Sequence, residues 1–119
     1  MKNIIREGVE NELTPVKVKN WTKQIIKEKT LEWGDVSSEE MSWEDAKKWC
    51  EEQGGRLPTS VELLQAYTDK VGGFAPADYF WSATAYTGYK NLAMDVNFGN
   101  GSVDAYYKTS GVYVRCVRG

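Results

Sequence analysis

Two segments in the middle of the chain have the hydrophobic spacing of amphipathic helices. In the first, Ala46, Trp49 and Cys50 recur at intervals of three and four residues, which places them on one side of a helix. Ser42 is a preferred N-cap residue, and Gly54-Gly55 supplies a stop. The pattern predicts a helix between these two signals, with Cys50 on its buried side beside Trp49.

The second helix is predicted from its start signal. Thr59 and Glu62 have the T-x-x-E spacing of a capping box, in which each side chain bonds the backbone N–H of the other residue. The predicted apolar face consists of Val61, Leu63, Leu64 and Tyr67. We expect the helix to end near Lys70, before a pair of glycines.

From Tyr79 onward the hydrophobic period changes from about 3.6 residues to 2, which is typical of strands. The alternation predicts four strands, at Tyr79–Thr84, Asn91–Phe98, Ser102–Lys108 and Val112–Arg118. Asn100-Gly101 lies between the middle two strands and favours a type I′ hairpin turn. The C-terminal half is therefore expected to be a small antiparallel sheet.

The hairpin turn also fixes a register for the middle two strands. The predicted pairs are Phe98–Val103, Val96–Ala105 and Met94–Tyr107 on one face, and Asn97–Asp104 and Asp95–Tyr106 on the other. The first set is apolar and the second polar, so we expect one face towards the core and one towards solvent.

The N-terminal quarter has a weaker pattern. Residues 1–15 are expected to be an extended arm. Gln24–Ile26 and Thr30–Trp33 are interpreted as two short strands around a Lys-Glu-Lys turn, and a helix over residues 20–29 is the alternative.

Composition and charge narrow the classes of function. The 119 residues allow one domain, and the net charge of −2 without a basic patch argues against nucleic-acid binding. No apolar run is long enough for a membrane span, and the N-terminus lacks the apolar stretch of a signal peptide. We therefore expect a cytoplasmic protein as synthesised, or one that joins a virion and is released by lysis. The chain has no His, which removes the commonest metal ligand and His-based acid–base catalysis.

The two cysteines, Cys50 and Cys116, do not have the spacing of a zinc or redox motif. Three interpretations stay open at this point: a disulfide, two buried thiols, or one reactive thiol. A chain without a signal peptide is expected to keep its thiols reduced in the cell.

Five short motifs together carry a family resemblance. They are LEW at 31–33, SWEDAKKWC at 42–50, RLPTSVEL at 56–63, YFWSAT at 79–84 and VRCVR at 114–118. In their order and spacing they resemble the DUF1566 or Lcl C-terminal family of C-type-lectin-like domains. The resemblance covers residues 30–119, whereas residues 1–29, interpreted as an arm or short strands, have no clear counterpart.

The resemblance implies an α+β, C-type-lectin-like fold in which two helices pack on a twisted antiparallel sheet. It also implies that Cys50 faces Cys116, as in the long-range disulfide of lectin-like folds. The EPN, QPD and WND motifs of calcium-dependent sugar binders are missing from this sequence. The resemblance therefore predicts the fold, and the sugar-binding activity of those relatives does not transfer with it.

The functional hypothesis is a non-enzymatic recognition module for a glycan or a protein surface. The candidate ligand-binding residues are Tyr86, Tyr89, Asp95, Asn97, Asp104 and Tyr106. Carboxylates and amides bond hydroxyl or backbone groups, and Tyr rings stack on apolar surfaces. The competing interpretation is that these residues are the solvated side of a hairpin.

Two other functions are weighed against recognition. A structural or oligomerising subunit, such as a phage tail or virion-surface component, would be a symmetric homo-oligomer. An enzyme using Asp95 and Asp104 as an acid–base pair is disfavoured, because no nucleophile–base pair or phosphate loop accompanies them. No cofactor is predicted, and Ca²⁺ held by Asp95 and Asp104 is a weak alternative.

Overall fold

The computed structural model describes residues 17–74 and 78–119. The described part contains two helices, α1 (Trp43–Glu52) and α2 (Ser60–Thr68). Its six strands are β1 (Thr22–Ile26), β2 (Lys29–Val36), β3 (Tyr79–Ala85), β4 (Leu92–Asn97), β5 (Val103–Tyr107) and β6 (Arg115–Arg118). The strands form two three-stranded antiparallel sheets, ordered β1–β2–β6 and β3–β4–β5. The predicted α+β class is confirmed, with two sheets in place of the one expected.

The first sheet begins with a tight hairpin. β1 and β2 pair from Thr22–Trp33 to Ile26–Lys29, so only Lys27 and Glu28 form the turn. Both turn residues have positive φ, 47° and 72°, as a two-residue type I′ turn requires. The strand interpretation is therefore confirmed and the alternative helix is wrong. The arm predicted for residues 1–15 lies outside the described residues.

The first sheet ends with the C-terminal strand, which pairs with β2. Glu32 lies opposite Arg118 and Trp33 opposite Val117. The Arg118 Nε donates to the Glu32 carboxylate at 2.8 Å. Regular pairing is shorter than the predicted strand at Val112–Arg118, since Val112 forms only an isolated bridge with Met41. The N-terminal hairpin and the C-terminal strand of the described chain thus belong to one sheet, with β2 in the middle.

Both helices begin at the predicted caps. The Ser42 hydroxyl accepts from the Asp45 N–H at 3.3 Å, and the Thr59 hydroxyl accepts from the Glu62 N–H at 3.1 Å. The Glu62 carboxylate accepts in return from the Thr59 N–H at 2.9 Å, which completes the capping box.

The apolar face of α2 differs from the predicted one. Val61 is 73% exposed, whereas Leu63 and Ala66 are fully buried. Leu63 and Ala66 are three residues apart and share the helix face that packs on the second sheet. Val61, two residues before Leu63, points away from that face. The prediction used hydrophobicity alone and therefore missed the small residue Ala66.

Two hydrophobic cores fill the molecule. The disulfide core consists of Trp43, Ala46, Trp49, Cys50, Leu57, Trp81, Ala93, Val112, Val114 and Cys116. The aromatic core consists of Leu31, Trp33, Leu63, Ala66, Phe80, Val96 and Val117, with Phe74 and Phe98 packed against them. The Cys50–Cys116 pairing that the resemblance implied is present as a disulfide, with a Cα–Cα distance of 5.4 Å.

Arg115 is a cation buried in the interior of the protein, at 2% exposure. Its Nε donates to the Gly34 carbonyl and its Nη1 to the Gly72 carbonyl, and its guanidinium lies 4.4 Å from the centre of the Phe74 ring. Burial lowers the pKa of Arg115 to about 10, which still leaves the side chain charged at neutral pH. The residue connects β6 to β2 and to the loop after α2.

The second sheet has a different register from the predicted one. Val96 pairs with Val103 and Asp95 with Asp104, a shift of two residues on one strand. The shift arises because the loop holds four residues: the Asn97 N–H donates to the Ser102 carbonyl at 2.9 Å and closes the hairpin. Within it only Gly101 has positive φ, at 77°, so the predicted type I′ turn at Asn100-Gly101 is wrong.

Among the described residues, no helix combines the length and apolar character that crossing a membrane demands.

We predict that replacing both cysteines by alanine lowers the free energy of unfolding by about 4 kcal/mol, because the bridge closes a long loop in the unfolded chain. Guanidinium unfolding of the variant and of the oxidised protein measures the difference. The reduced unmodified protein is the matched control and should unfold with the variant. A difference below about 1 kcal/mol would contradict the prediction.

The loop after α2 gives a second prediction. Gly73 has φ of +95°, and a Cβ there would lie 2.7 Å from the Arg115 Nη2. Gly73→Ala should therefore destabilise the protein by about 2 kcal/mol or more. The neighbouring Gly72→Ala is the control, since a Cβ at that position meets nothing within 4 Å. Equal midpoints of thermal unfolding for the two variants would refute this assignment.

Candidate functional site

Two aspartates lie side by side on the second sheet. Asp95 on β4 is directly opposite Asp104 on β5, and Trp81 on β3 lies on the other side of Asp95. Asp104 is exposed, but Asp95 is only 1% exposed. The predicted solvent-facing position of Asp95 is therefore wrong.

Asp95 is buried because β4 is covered on both faces. On one face Val96 and Phe80 belong to the aromatic core, and on the other Ala93 and Trp81 belong to the disulfide core. The prediction assumed a hairpin with one solvated face, as in a simple two-layer sheet. Asp104 stays exposed because β5 is the edge strand of this sheet.

The environment of Asp95 disfavours its ionised form. Burial, and then the negative charge of Asp104, raise the pKa of Asp95 from the usual 3.8 to about 7. Its Oδ1 is buried and has no hydrogen-bond partner within the described part of the chain. With a pKa of about 7, Asp95 is therefore partly protonated near neutral pH, and it lies beside the exposed carboxylate of Asp104.

Four exposed tyrosines lie at one end of this sheet, and we call them the tyrosine end: Tyr86, Tyr89, Tyr106 and Tyr107. Their exposures are 38%, 59%, 49% and 59%. The first two lie in the β3–β4 loop, with their ring centres 5.6 Å apart. The other two end β5.

Backbone bonds hold the tyrosine end together. The Tyr86 N–H donates to the Leu92 carbonyl at 3.3 Å, and Leu92 pairs with Tyr107 across the sheet. The Lys108 N–H donates to the Asn91 carbonyl at 2.9 Å, which fixes the loop against the end of β5.

The predicted site residues therefore separate into groups. Tyr86, Tyr89 and Tyr106 meet at the tyrosine end, and Asp104 lies two residues before Tyr106 on the same face of β5. Asn97 is at the opposite end of β4, where its Oδ1 accepts from the Gly99 N–H at 2.7 Å. Its role is to shape the hairpin loop.

Sequence reasoning missed two features near this site. Tyr107 was assigned to the apolar core face, yet it is the last residue of an edge strand and is exposed. Lys47 and Lys108 both lie over the Trp43 ring, with their ammonium groups 4.0 and 4.5 Å from its centre. The i,i+4 spacing of Trp43 and Lys47 could have predicted the first contact.

The acidic pair alone is a poor calcium site. Ca²⁺ takes six to eight oxygen ligands. In residues 17–74 and 78–119, no cluster of three or more His, Cys, Asp or Glu side chains is arranged to hold a metal ion. Asp95 and Asp104 would have to be completed by other groups.

Comparison with known proteins identifies one family. The model of the Lcl C-terminal domain matches residues 20–118, which include every described helix and strand. No curated protein matches the chain.

The raised pKa of Asp95 gives a prediction about pH. The native state holds this proton up to about pH 7, whereas the unfolded chain releases it near 3.8. The contribution of the Asp95 carboxyl to the free energy of unfolding is therefore fully present below pH 3.8 and is lost as the pH rises towards about 7. Asp95→Asn should remove that loss, so its stability relative to the unmodified protein should increase across this range.

Urea unfolding at a series of pH values measures the effect. Asp104→Asn is the graded control: it removes the like charge and leaves Asp95 buried, so it should retain part of the pH dependence. If the free energies of unfolding of Asp95→Asn and of the unmodified protein differed by the same amount at all pH values, the raised pKa of Asp95 would be contradicted.

Proposed function

The chain belongs to the Lcl C-terminal domain family, and on this basis we propose that it is a non-enzymatic recognition module for a glycan or a protein surface. Membership of this family suggests a domain of a surface or binding protein. The binding surface that we propose consists of Tyr86, Tyr89, Tyr106 and Asp104; Tyr107 points to the other face of β5.

The contrast between tryptophan and tyrosine exposure carries the proposal. Trp33, Trp43, Trp49 and Trp81 are buried, whereas the four tyrosines of the tyrosine end are exposed. Aromatic rings that only filled the core would not collect at one exposed end of a sheet. Tyr supplies a rigid ring and a hydroxyl at low cost in side-chain entropy, which suits a contact surface.

Asp104 supplies the polar part of the proposed surface. Its carboxylate is exposed and accepts hydrogen bonds from sugar hydroxyls or from the N–H groups of a protein. Asp95 is too deeply buried to touch a ligand, so it acts through its charge. When Asp95 is protonated, Asp104 is the single negative charge of the pair.

We propose further that the fold is C-type-lectin-like. Three features support this: the pairing of the C-terminal strand β6 with β2 of the N-terminal hairpin, the family membership, and a disulfide from the first helix to the last strand. The calcium-dependent binding motifs of sugar-binding relatives are missing from the sequence, so the recognition that we propose uses side chains without a metal.

The proposal contains no catalytic step. Asp95 has the pKa of a general acid, but a general acid must reach the substrate, and Asp95 is only 1% exposed. A hydrolase screen on glycosides and esters tests this point. Turnover that disappears in Asp104→Ala would favour an enzyme.

Substitutions at the tyrosine end test recognition. We predict that Tyr89→Ala and Tyr106→Ala each raise the Kd for a bound glycan or protein by about tenfold or more, since removing an aromatic anchor costs at least ~1.4 kcal/mol. Ligands are first identified on a glycan array, and affinities are measured by calorimetry. Both residues are exposed, so thermal stability should change little.

Tyr79→Ala is the matched control. Tyr79 is similarly exposed on the same sheet, but it pairs with Asn97 at the end far from the tyrosine end. Its substitution should leave the affinity unchanged. Equal losses for Tyr79→Ala and Tyr106→Ala would move the binding surface elsewhere.

A further inference from the structure

The outer edge of β5 carries backbone groups without partners in the described chain. Asn97 bonds Ser102 and Asn91 bonds Lys108, so the intervening pairs that exchange bonds are Asp95–Asp104 and Ala93–Tyr106. The N–H and C=O groups of Val103 and Ala105 therefore point away from β4. No described residue donates to or accepts from them.

This edge lacks the usual protection against pairing. Edge strands are commonly blunted by Pro, by a bulge or by Lys side chains. The five residues of β5 pair with β4 without a register shift, and they include neither Pro nor Lys. Asp104 is the one charged residue within the strand.

We propose that β5 pairs antiparallel with β5 of a second copy of this chain, with Ala105 opposite the second copy's Ala105. The β3–β4–β5 sheet of one copy and the same sheet of the second copy would then form one continuous sheet of six strands. The N–H of each Ala105 would donate to the carbonyl of the other Ala105. Val103 and the second copy's Tyr107 would also exchange two bonds, so the Tyr107 carbonyl would accept from Val103 as well as from the Ser110 N–H of its own chain.

Side-chain complementarity supports this register. On one face Val103 meets the second copy's Tyr107, a β-branched and aromatic pair of the kind that stabilises antiparallel strands. On the other face Asp104 meets the second copy's Tyr106, and its two diagonal neighbours are the second copy's Lys108 and Asp104. Two attractive Asp104–Lys108 contacts are therefore opposed by one repulsive contact between the two Asp104 carboxylates.

Competing registers satisfy fewer groups. Centring the contact on Asp104 would place two carboxylates directly opposite each other, which is destabilising. Centring it on Tyr106 would pair only the residues from Ala105 to Tyr107 of each copy and would leave Val103 unpaired. Pairing centred on Ala105 is the register that uses all five residues of β5.

The paired sheet places part of the proposed recognition surface, Asp104 and Tyr106, next to the contact between the copies. Strand addition covers an edge of the sheet and not its faces, so Asp104 and Tyr106 of both copies would lie on one continuous face. The inference depends on the edge alone and does not require the proposed function. Because two strand edges bury little area, we expect a weak dimer, with a Kd below ~1 mM.

Sedimentation equilibrium up to ~1 mM chain tests the proposal. The protein should be a monomer–dimer mixture. Ala105→Pro should raise the dimer Kd at least tenfold, because it removes the outward N–H while leaving the bonds between β5 and β4 in place. Circular dichroism checks that this variant is folded.

Charge reversal provides a test that does not depend on the proline variant. Asp104→Lys and Lys108→Asp should each weaken self-association, because each places like charges at both diagonal contacts. Mixed in equal amounts, the two variants should form a heterodimer, because every contact again joins opposite charges. Lys17→Asp, an exposed change far from β5 in the chain, is the control and should leave the dimer unchanged.

Asp104→Lys should stay folded, because that substitution removes the charge that repels Asp95, and circular dichroism checks this. A strictly monomeric unmodified protein would overturn the proposal. So would a dimer that persists in both charge variants, or a mixture that stays as monomeric as its components.

Discussion

The closing segment of the chain, residues 112–118, is held from three sides, and the arrangement of both sheets depends on it. β6 pairs with β2 in the first sheet. Just before it, the Tyr113 carbonyl accepts from the Trp81 N–H of the second sheet at 3.0 Å. Cys116 is bonded to Cys50 on α1. One short segment therefore joins the two sheets and a helix, and side chains pointing to either side of it are buried.

The parts of the fold controlled by local chemistry could be predicted from the sequence. The caps at Ser42 and Thr59 depend on a side chain and a backbone N–H three residues away, so sequence spacing specifies them. The strand alternation after Tyr79 was equally readable. The register of β4 and β5 could not be predicted in this way, because the register depends on the number of residues in the loop, and the turn type alone does not determine that number. The Asn-Gly pair favours a two-residue turn, but four residues form the loop.

The candidate site shows the same division. Tyr86, Tyr89 and Tyr106 were predicted as ligand-binding residues, and they lie exposed at one end of the second sheet. The burial of Asp95 was not predictable from alternation, which describes one strand and its two faces. Whether the second face is covered depends on α1 and on the closing segment, and both are distant in the sequence.

The position of the two cysteines has a topological consequence. Everything between Cys50 and Cys116, which includes α2 and the whole second sheet, lies within a single covalent ring closed by the disulfide. A protease cut at the exposed β3–β4 loop would open that ring without dividing the molecule. Both fragments would stay joined until the bond is reduced, so a nicked domain in an oxidising environment would keep β3 and β4 in one covalently linked molecule.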